Sequence, residues 1–122
     1  MRALLVEDEP LVAMIAEEAL ISLGFDARAA RNATEAVEQI ESFEPTLAVV
    51  DVGLPDMRGD ALTRKLREMR PGLSVIVASG YDEGELSAQF ADDDHVAILP
   101  KPYTEDDLAR AARQLGFTVN AL

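Results

Sequence analysis

A chain of 122 residues, 48% apolar and 28% charged, is long enough for one domain with a sizeable core and too short for two. Its 11 Lys and Arg against 23 Asp and Glu leave a net charge of −12, the wrong sign for direct nucleic-acid binding, which needs cations to displace phosphate counterions. The absence of cysteine and the single histidine, His95, exclude disulfides, thiolate chemistry and a multi-histidine zinc site.

The first predicted strand is Ala3-Leu4-Leu5-Val6, a continuous apolar run that has no wet face. Pro10 suits the first turn of a helix, where its missing N–H costs nothing. Val12, Ile15, Ala19 and Leu23 then recur at spacings of three and four as the expected core stripe, and Gly24 ends the helix. Leu11, Met14 and Ile21 fall on a neighbouring face, where a helix with a wet outer side has no need of apolar residues. Phe25 to Ala30 is the second strand. Residues 33 to 42 form a second helix with Ala33, Ala36, Val37 and Ile40 inward, and Thr46 to Val50 is the clearest strand.

Gly53, Pro55 and Gly59 punctuate a loop before a third helix over residues 60 to 69. That helix carries Arg64, Lys65, Arg67 and Arg70, read as a solvated face. Leu73 to Ala78 is the fourth strand. A short helix over 83 to 90 and the acidic run Asp92-Asp93-Asp94 follow, and residues 82 to 94, rich in acids and poor in core candidates, are expected to be the mobile part of the domain. Val96 to Leu99 is the fifth strand. Thr104 begins the last helix, with Asp107 at the far position of a capping box and Leu108, Ala111, Ala112 and Leu115 facing inward. Gly116 stops it. The expected domain is 1–116, with 117–122 as a C-terminal tail. No apolar run approaches the roughly 20 residues that span a bilayer, and nothing at the N-terminus reads as a signal peptide. A cytoplasmic protein without membrane contact is expected.

Five strands alternating with five helices predict an α/β fold, a doubly wound parallel sheet of (βα)5 form. Right-handed crossovers in so short a chain favour the flavodoxin-like strand order 2-1-3-4-5. Chemistry in such sheets gathers at the carboxyl ends of the strands. Glu7-Asp8-Glu9 follows the first strand, Asp51 the third, Ser79-Gly80 the fourth and Lys101-Pro102 the fifth. The first and third strands are neighbours in this order, so Glu7, Asp8 and Asp51 converge. Three such carboxylates repel unless a cation or proton intervenes, and an all-oxygen set with few protein ligands suits Mg²⁺. A carboxylate beside such an ion can attack phosphorus. The phosphoryl oxygens then need donors, which the Ser79 hydroxyl, the Lys101 ammonium and backbone N–H groups after Asp51 supply.

Four motifs resemble those of response-regulator receiver domains, of the CheY-like superfamily, with a match running from Arg2 to Gly116. They are Leu-Val-Glu-Asp-Glu (5–9), Val-Asp-Val-Gly-Leu-Pro-Asp-Met-Arg-Gly (50–59), Ala-Ser-Gly-Tyr (78–81) and Pro-Lys-Pro-Tyr (100–103). The resemblance implies that Asp51 is the phosphoacceptor, with Ser79 as hydroxyl switch and Lys101 as phosphate-binding lysine. It further implies that Glu7, Asp8, Asp51 and the Gly53 carbonyl form the site for Mg²⁺ (or Mn²⁺), with Asp8 the more direct ligand of the two pocket acids. The Lys101-Pro102 bond is expected to be cis by the same resemblance. The implied function is a two-component or phosphorelay phosphoacceptor rather than a turnover enzyme. Its implied partners are a sensor histidine kinase or histidine phosphotransfer protein and an unidentified downstream protein. Receivers generally meet phosphotransfer helices through the first helix, which gives Leu11, Met14 and Ile21 a role.

The sequence departs from the family pattern in three places. Glu7 stands where Asp is common and Ser79 where Thr is commoner. Ile98 stands where many members have Tyr or Phe whose rotamer follows the switch hydroxyl, and Tyr81 is a candidate substitute. Two rival readings remain. One is a pseudo-receiver that binds partners without taking phosphate, which Ile98 keeps open. The other is a flavodoxin-like cofactor binder, which lacks a Gly-rich phosphate loop after the first strand. A stand-alone receiver is expected, with a fragment of a longer regulator or hybrid kinase as the alternative.

Overall fold

The computed structural model describes residues 1–80 and 83–120. Its strands are β1 (Arg2–Val6), β2 (Asp26–Ala30), β3 (Leu47–Asp51), β4 (Ser74–Ser79) and β5 (Val96–Pro100). The helices are α1 (Pro10–Ser22), α2 (Ala33–Phe43), α3 (Gly59–Met69), α4 (Glu83–Gln89) and α5 (Glu105–Gln114). All strand pairs are parallel and the order is β2-β1-β3-β4-β5, as expected.

β1, β3 and β4 are buried along almost their whole length, because side chains on alternate faces of the sheet meet different helices. Leu5, Val49 and Ile76 join Ala19, Leu20, Leu108 and Ala112 in one core, under α1 and α5. Leu4, Val50 and Val77 join Ala36, Ile40, Leu62, Leu66 and Leu86 in the other, under α2, α3 and α4. Among the described residues of α4, Leu86 alone is buried, so that helix is held to the sheet by little apolar area.

Helix ends follow the local chemistry. The Asn32 side chain accepts from the Glu35 N–H at the start of α2. Thr104 and Asp107 complete a reciprocal capping box on α5, an arrangement that satisfies two otherwise unpaired donors. Gly24 and Gly116, just beyond α1 and α5, have φ of +107° and +95°, the left-handed turn that favours glycine after a helix.

The core stripe of α1 differs from the expected one. Ile15 is 61% exposed, while Ala16, Ala19, Leu20 and Leu23 are buried and Val12 is half-buried. The helix is apolar on most of its circumference, so spacing alone is compatible with two rotational settings. Packing of Leu20 and Leu23 in one cluster with Leu5 and Phe25 selects between them, since each buried leucine stabilises by about 2 kcal/mol. The residues after α5 are also packed rather than free. The Phe117 ring meets Phe25 edge-on at 5.6 Å, and the Asn120 N–H donates to the Leu23 carbonyl at 3.0 Å.

Gly59 is the tightest point of the fold. A Cβ there would lie 2.3 Å from the Asp51 carbonyl oxygen and 2.7 Å from the Val52 Cα, because α3 starts directly against the end of β3. The Gly59 N–H donates to the Val52 carbonyl at 3.0 Å, and the buried Thr63 hydroxyl donates to the Gly59 carbonyl at 2.7 Å. Gly59→Ala is therefore expected to destabilise the domain by about 1–3 kcal/mol through overpacking. A urea midpoint equal to that of wild type would contradict this close approach.

Candidate functional site

Each expected site residue lies at the carboxyl edge of the sheet, carried there by extensions of the strand ladders. The Glu7 N–H donates to the Ala30 carbonyl at 3.0 Å, Val52 to Ala78 at 3.0 Å and Lys101 to Ser79 at 2.9 Å. These bonds fix the backbone just where β1, β3 and β5 end, so their side chains are aimed by the sheet rather than by flexible loops. The Lys101-Pro102 bond is cis, as the resemblance implied.

Glu7, Asp8 and Asp51 each offer a carboxylate oxygen, and these oxygens lie within 4.8 Å of one another. Asp8 is exposed, Asp51 nearly buried, and Glu7 only 2% exposed. Lys101 stands between two of them: its Nζ is 3.1 Å from Glu7 Oε1 and 3.4 Å from Asp51 Oδ1. The second Glu7 oxygen accepts from the Glu9 N–H at 3.2 Å. Both Glu7 oxygens are thus engaged, whereas Asp8 faces solvent. The Gly53 N–H donates to Asp51 Oδ1 at 3.3 Å.

Burial is the largest influence on Glu7 and raises its pKa, helped by the Asp51 charge, even though the Glu9 N–H and Lys101 oppose the rise. Burial pulls Lys101 down, but the hydrogen bond to Glu7 and the charges of Asp51 and Glu7 outweigh it and raise the ammonium. The ammonium therefore stays charged while one of its partners is reluctant to ionise, which is the expected result of two acids sharing one base in a dry site. Tyr103 packs against the α1 and α5 core; burial first and the Glu7 charge second push its phenol up to about 12.

Beside these groups is a cavity of about 470 Å³ lined by Asp51, Gly53, Leu54, Ser79, Gly80 and Lys101, an opening from which a small anionic donor could reach Asp51. Arg58 also lines it and donates from Nε to Asp60 at 3.1 Å. Sequence reading missed Arg58, because its motif position gives no sign that α3 starts so close to Asp51. Tyr81 lies outside the described residues. Ile98 is half-buried and packs on the core under α2, α3 and α4.

The donor set fits a small hard cation. Three carboxylates converge with one ammonium against them, all the candidate ligands are oxygens, and the exposed Asp8 leaves room for retained waters, the habit of Mg²⁺. Asp8, Asp51 and the Gly53 carbonyl would hold it, and the neighbouring Glu7 carboxylate would add negative charge to the pocket.

The charges set a pH dependence. The folded form holds the Glu7 proton more tightly than the unfolded chain. This group thus favours folding below its ordinary value of 4.5, and the contribution is lost as pH rises through the raised folded value. At neutral pH the ionised pocket opposes folding, and a cation that binds only the folded state offsets that by mass action. Millimolar Mg²⁺ is expected to raise the melting temperature more at pH 7.5 than at pH 5, where protons compete for the ligands. Asp51→Asn leaves Lys101 paired with Glu7 and removes one like charge. It is expected to raise the metal-free melting temperature by a few degrees, the size of about 1 kcal/mol, and to remove most of the Mg²⁺ increment. An unfolding transition indifferent to Mg²⁺ would contradict the site.

A family profile described as response regulator receiver domain matches residues 3–113. The sensor kinase CckA of Brucella abortus is 36% identical over 92% of this chain and 12% of its own length. The sensor protein TorS of Escherichia coli is 35% identical over 98% of this chain and 13% of its own length. The chain thus spans about an eighth of these curated relatives. Among solved structures, a receiver domain protein (CheY-like) from Methanospirillum hungatei superposes with a TM-score of 0.83 at 30% identity, covering 93% of this chain and 90% of that one. The signal receiver domain of a LuxO-type repressor protein from Vibrio parahaemolyticus superposes with a TM-score of 0.82 at 27% identity, covering 93% and 88%.

Proposed function

This chain belongs to the response regulator receiver domain family, and from that premise we propose that Asp51 accepts a phosphoryl group from a phosphohistidine on a protein partner, with Mg²⁺ bound. The observation that carries this reading is the half-buried Lys101 held 3.4 Å from Asp51 beside an anion-sized cavity.

An Asp51 carboxylate oxygen attacks phosphorus, forming an O–P bond as the N–P bond of the donor breaks. The electron pair stays on the imidazole nitrogen, which takes a proton. A bound Mg²⁺ supplies charge neutralisation for the attacking carboxylate and the phosphoryl oxygens. Lys101 exchanges its contact with the Asp51 carboxylate for one with a phosphoryl oxygen, and the Ser79 hydroxyl offers a neutral donor from the end of β4. Leu54 and Val52, both buried, limit water on the α3 side. The reaction is a transfer to the domain itself, with no turnover of an external substrate. Ile98 has no ring to follow the Ser79 hydroxyl, so the signal leaves by a route other than a β5 aromatic rotamer.

The donor approaches over α1. Leu11, Met14, Ile15 and Ile21 are each more than half exposed. A groove of about 600 Å³ between α1 and α5 runs from Ile15 past Ala19, Tyr103 and Leu108 to Lys101. An apolar helix surface leading to the catalytic lysine fits a helical phosphohistidine partner, and Met14 supplies an adaptable contact. The rotational setting of α1 that leaves Ile15 outside enlarges this surface.

Two experiments test the reading. Intact mass after incubation with Mg²⁺ and acetyl phosphate should show one phosphoryl adduct, absent in Asp51→Asn; no adduct in wild type would leave a binding module that takes no phosphate. Met14→Lys should slow transfer from a phosphohistidine protein by about tenfold, the scale of one lost interface anchor, and spare labelling by acetyl phosphate. Equal loss with both donors would indicate a folding defect and sink the docking surface.

A further inference from the structure

Asp56 lies in the loop between β3 and α3, yet its carboxylate is bonded to a different element. Oδ1 accepts from the Ala33 N–H at 2.9 Å, and Oδ2 accepts from the Thr34 N–H at 3.0 Å and the Thr34 hydroxyl at 2.8 Å. Asn32 separately takes the Glu35 N–H at 2.8 Å. The first three amides of α2 are thus satisfied by two side chains, one local and one reaching over from the phosphorylation loop. A local cap suffices for most helices, so the second one does more than end α2.

The loop carries Gly53, whose N–H already touches Asp51 at 3.3 Å. Its base is closed by the bond from the Gly59 N–H to the Val52 carbonyl, and Leu54 is buried. Its outer half, from Pro55 to Arg58, is mostly exposed. Asp56 ties this half to a rigid neighbour with three charge-assisted bonds. Attraction to the N–H groups of Ala33 and Thr34 outweighs burial and holds its carboxyl below the usual range, so the tie persists through the neutral pH range.

We propose that Asp56 is a positioning residue for the phosphorylation site. By clasping the N-terminus of α2 it holds the loop so that the Gly53 backbone stays aimed at the Asp51 pocket. The inference rests on the reading of Asp51 as a cation-dependent phosphoacceptor.

Asn32→Ala removes the local cap of α2 and leaves the loop tie intact, which makes it the control for helix destabilisation. Asp56→Ala removes the tie and a charge; Asp56→Asn removes the same charge and keeps one acceptor oxygen and a donor for Thr34. Mg²⁺ affinity is measured for each in the full chain from amide NMR shifts at Gly53, together with hydrogen exchange of residues 54–58 and the rate of labelling by acetyl phosphate at saturating Mg²⁺. Asp56→Ala is expected to weaken Mg²⁺ on the order of tenfold, the scale of a lost outer-shell support, and to speed loop exchange. Asp56→Asn should recover much of the affinity, and Asn32→Ala should lower the melting temperature with affinity unchanged. Equal affinity losses in Asp56→Ala and Asn32→Ala would reduce Asp56 to a helix cap. Equal losses in Asp56→Ala and Asp56→Asn would reduce it to a charge. Either outcome overturns the proposal while the site reading survives; absence of Mg²⁺ binding in wild type overturns both.

Discussion

The arrangement depends on one half-buried ammonium between two carboxylates. Glu7 and Asp51 sit on adjacent strands at the same edge of a dry sheet, and without Lys101 their charges would oppose each other in a medium that screens poorly. Lys101 comes from β5, two strands away from β3, so the contact forms only when the whole sheet is assembled. The same pocket still holds an excess of negative charge once Asp8 is counted. A site built this way is under-neutralised, and that imbalance favours a bound cation.

Backbone geometry turns this charge arrangement into a directed one. Parallel strands bring their carboxyl ends to one side, and the ladder bonds that continue past β1, β3 and β5 fix the next residue on each chain. The loop after β3 is closed at Gly59, where no side chain fits, and braced across to α2 by Asp56. Rigid elements place reacting groups more accurately than loops do, and here even the loop is held at both its base and its outer half.

The outer surface divides the labour differently. Most helices present charged faces, in keeping with the strongly acidic composition. α1 is the exception, with four large apolar side chains exposed and a groove that leads to Lys101. Such a patch on an otherwise charged surface is an unusual expense unless something covers it. The groove ends at Lys101, so the docking proposed for α1 would bring a partner to the edge of the pocket.

Much of this was legible in the chain itself. Apolar runs of strand length alternating with helical periods determined the element order, and a short chain of right-handed crossovers left the strand order β2-β1-β3-β4-β5. Chain order also placed Glu7, Asp8, Asp51, Ser79 and Lys101 at strand ends, because hydrophobic periodicity stops where the polar residues begin. The helix cap at Thr104 is a local hydrogen bond with Asp107, and local chemistry of that kind is visible in sequence. Only tertiary structure decided the rest. The rotation of α1 was ambiguous because its apolar residues nearly encircle the helix, and packing against Leu5 and Phe25 chose the face that leaves Ile15 outside. Residues 117–122 read as a tail because they carry no period, and within the described part of it Phe117 meets Phe25 across the fold. The clasp between Asp56 and Thr34 joins residues 22 positions apart. No propensity or spacing encodes such a pair, because the contact exists only after two separate loops have been carried to the same edge of the sheet.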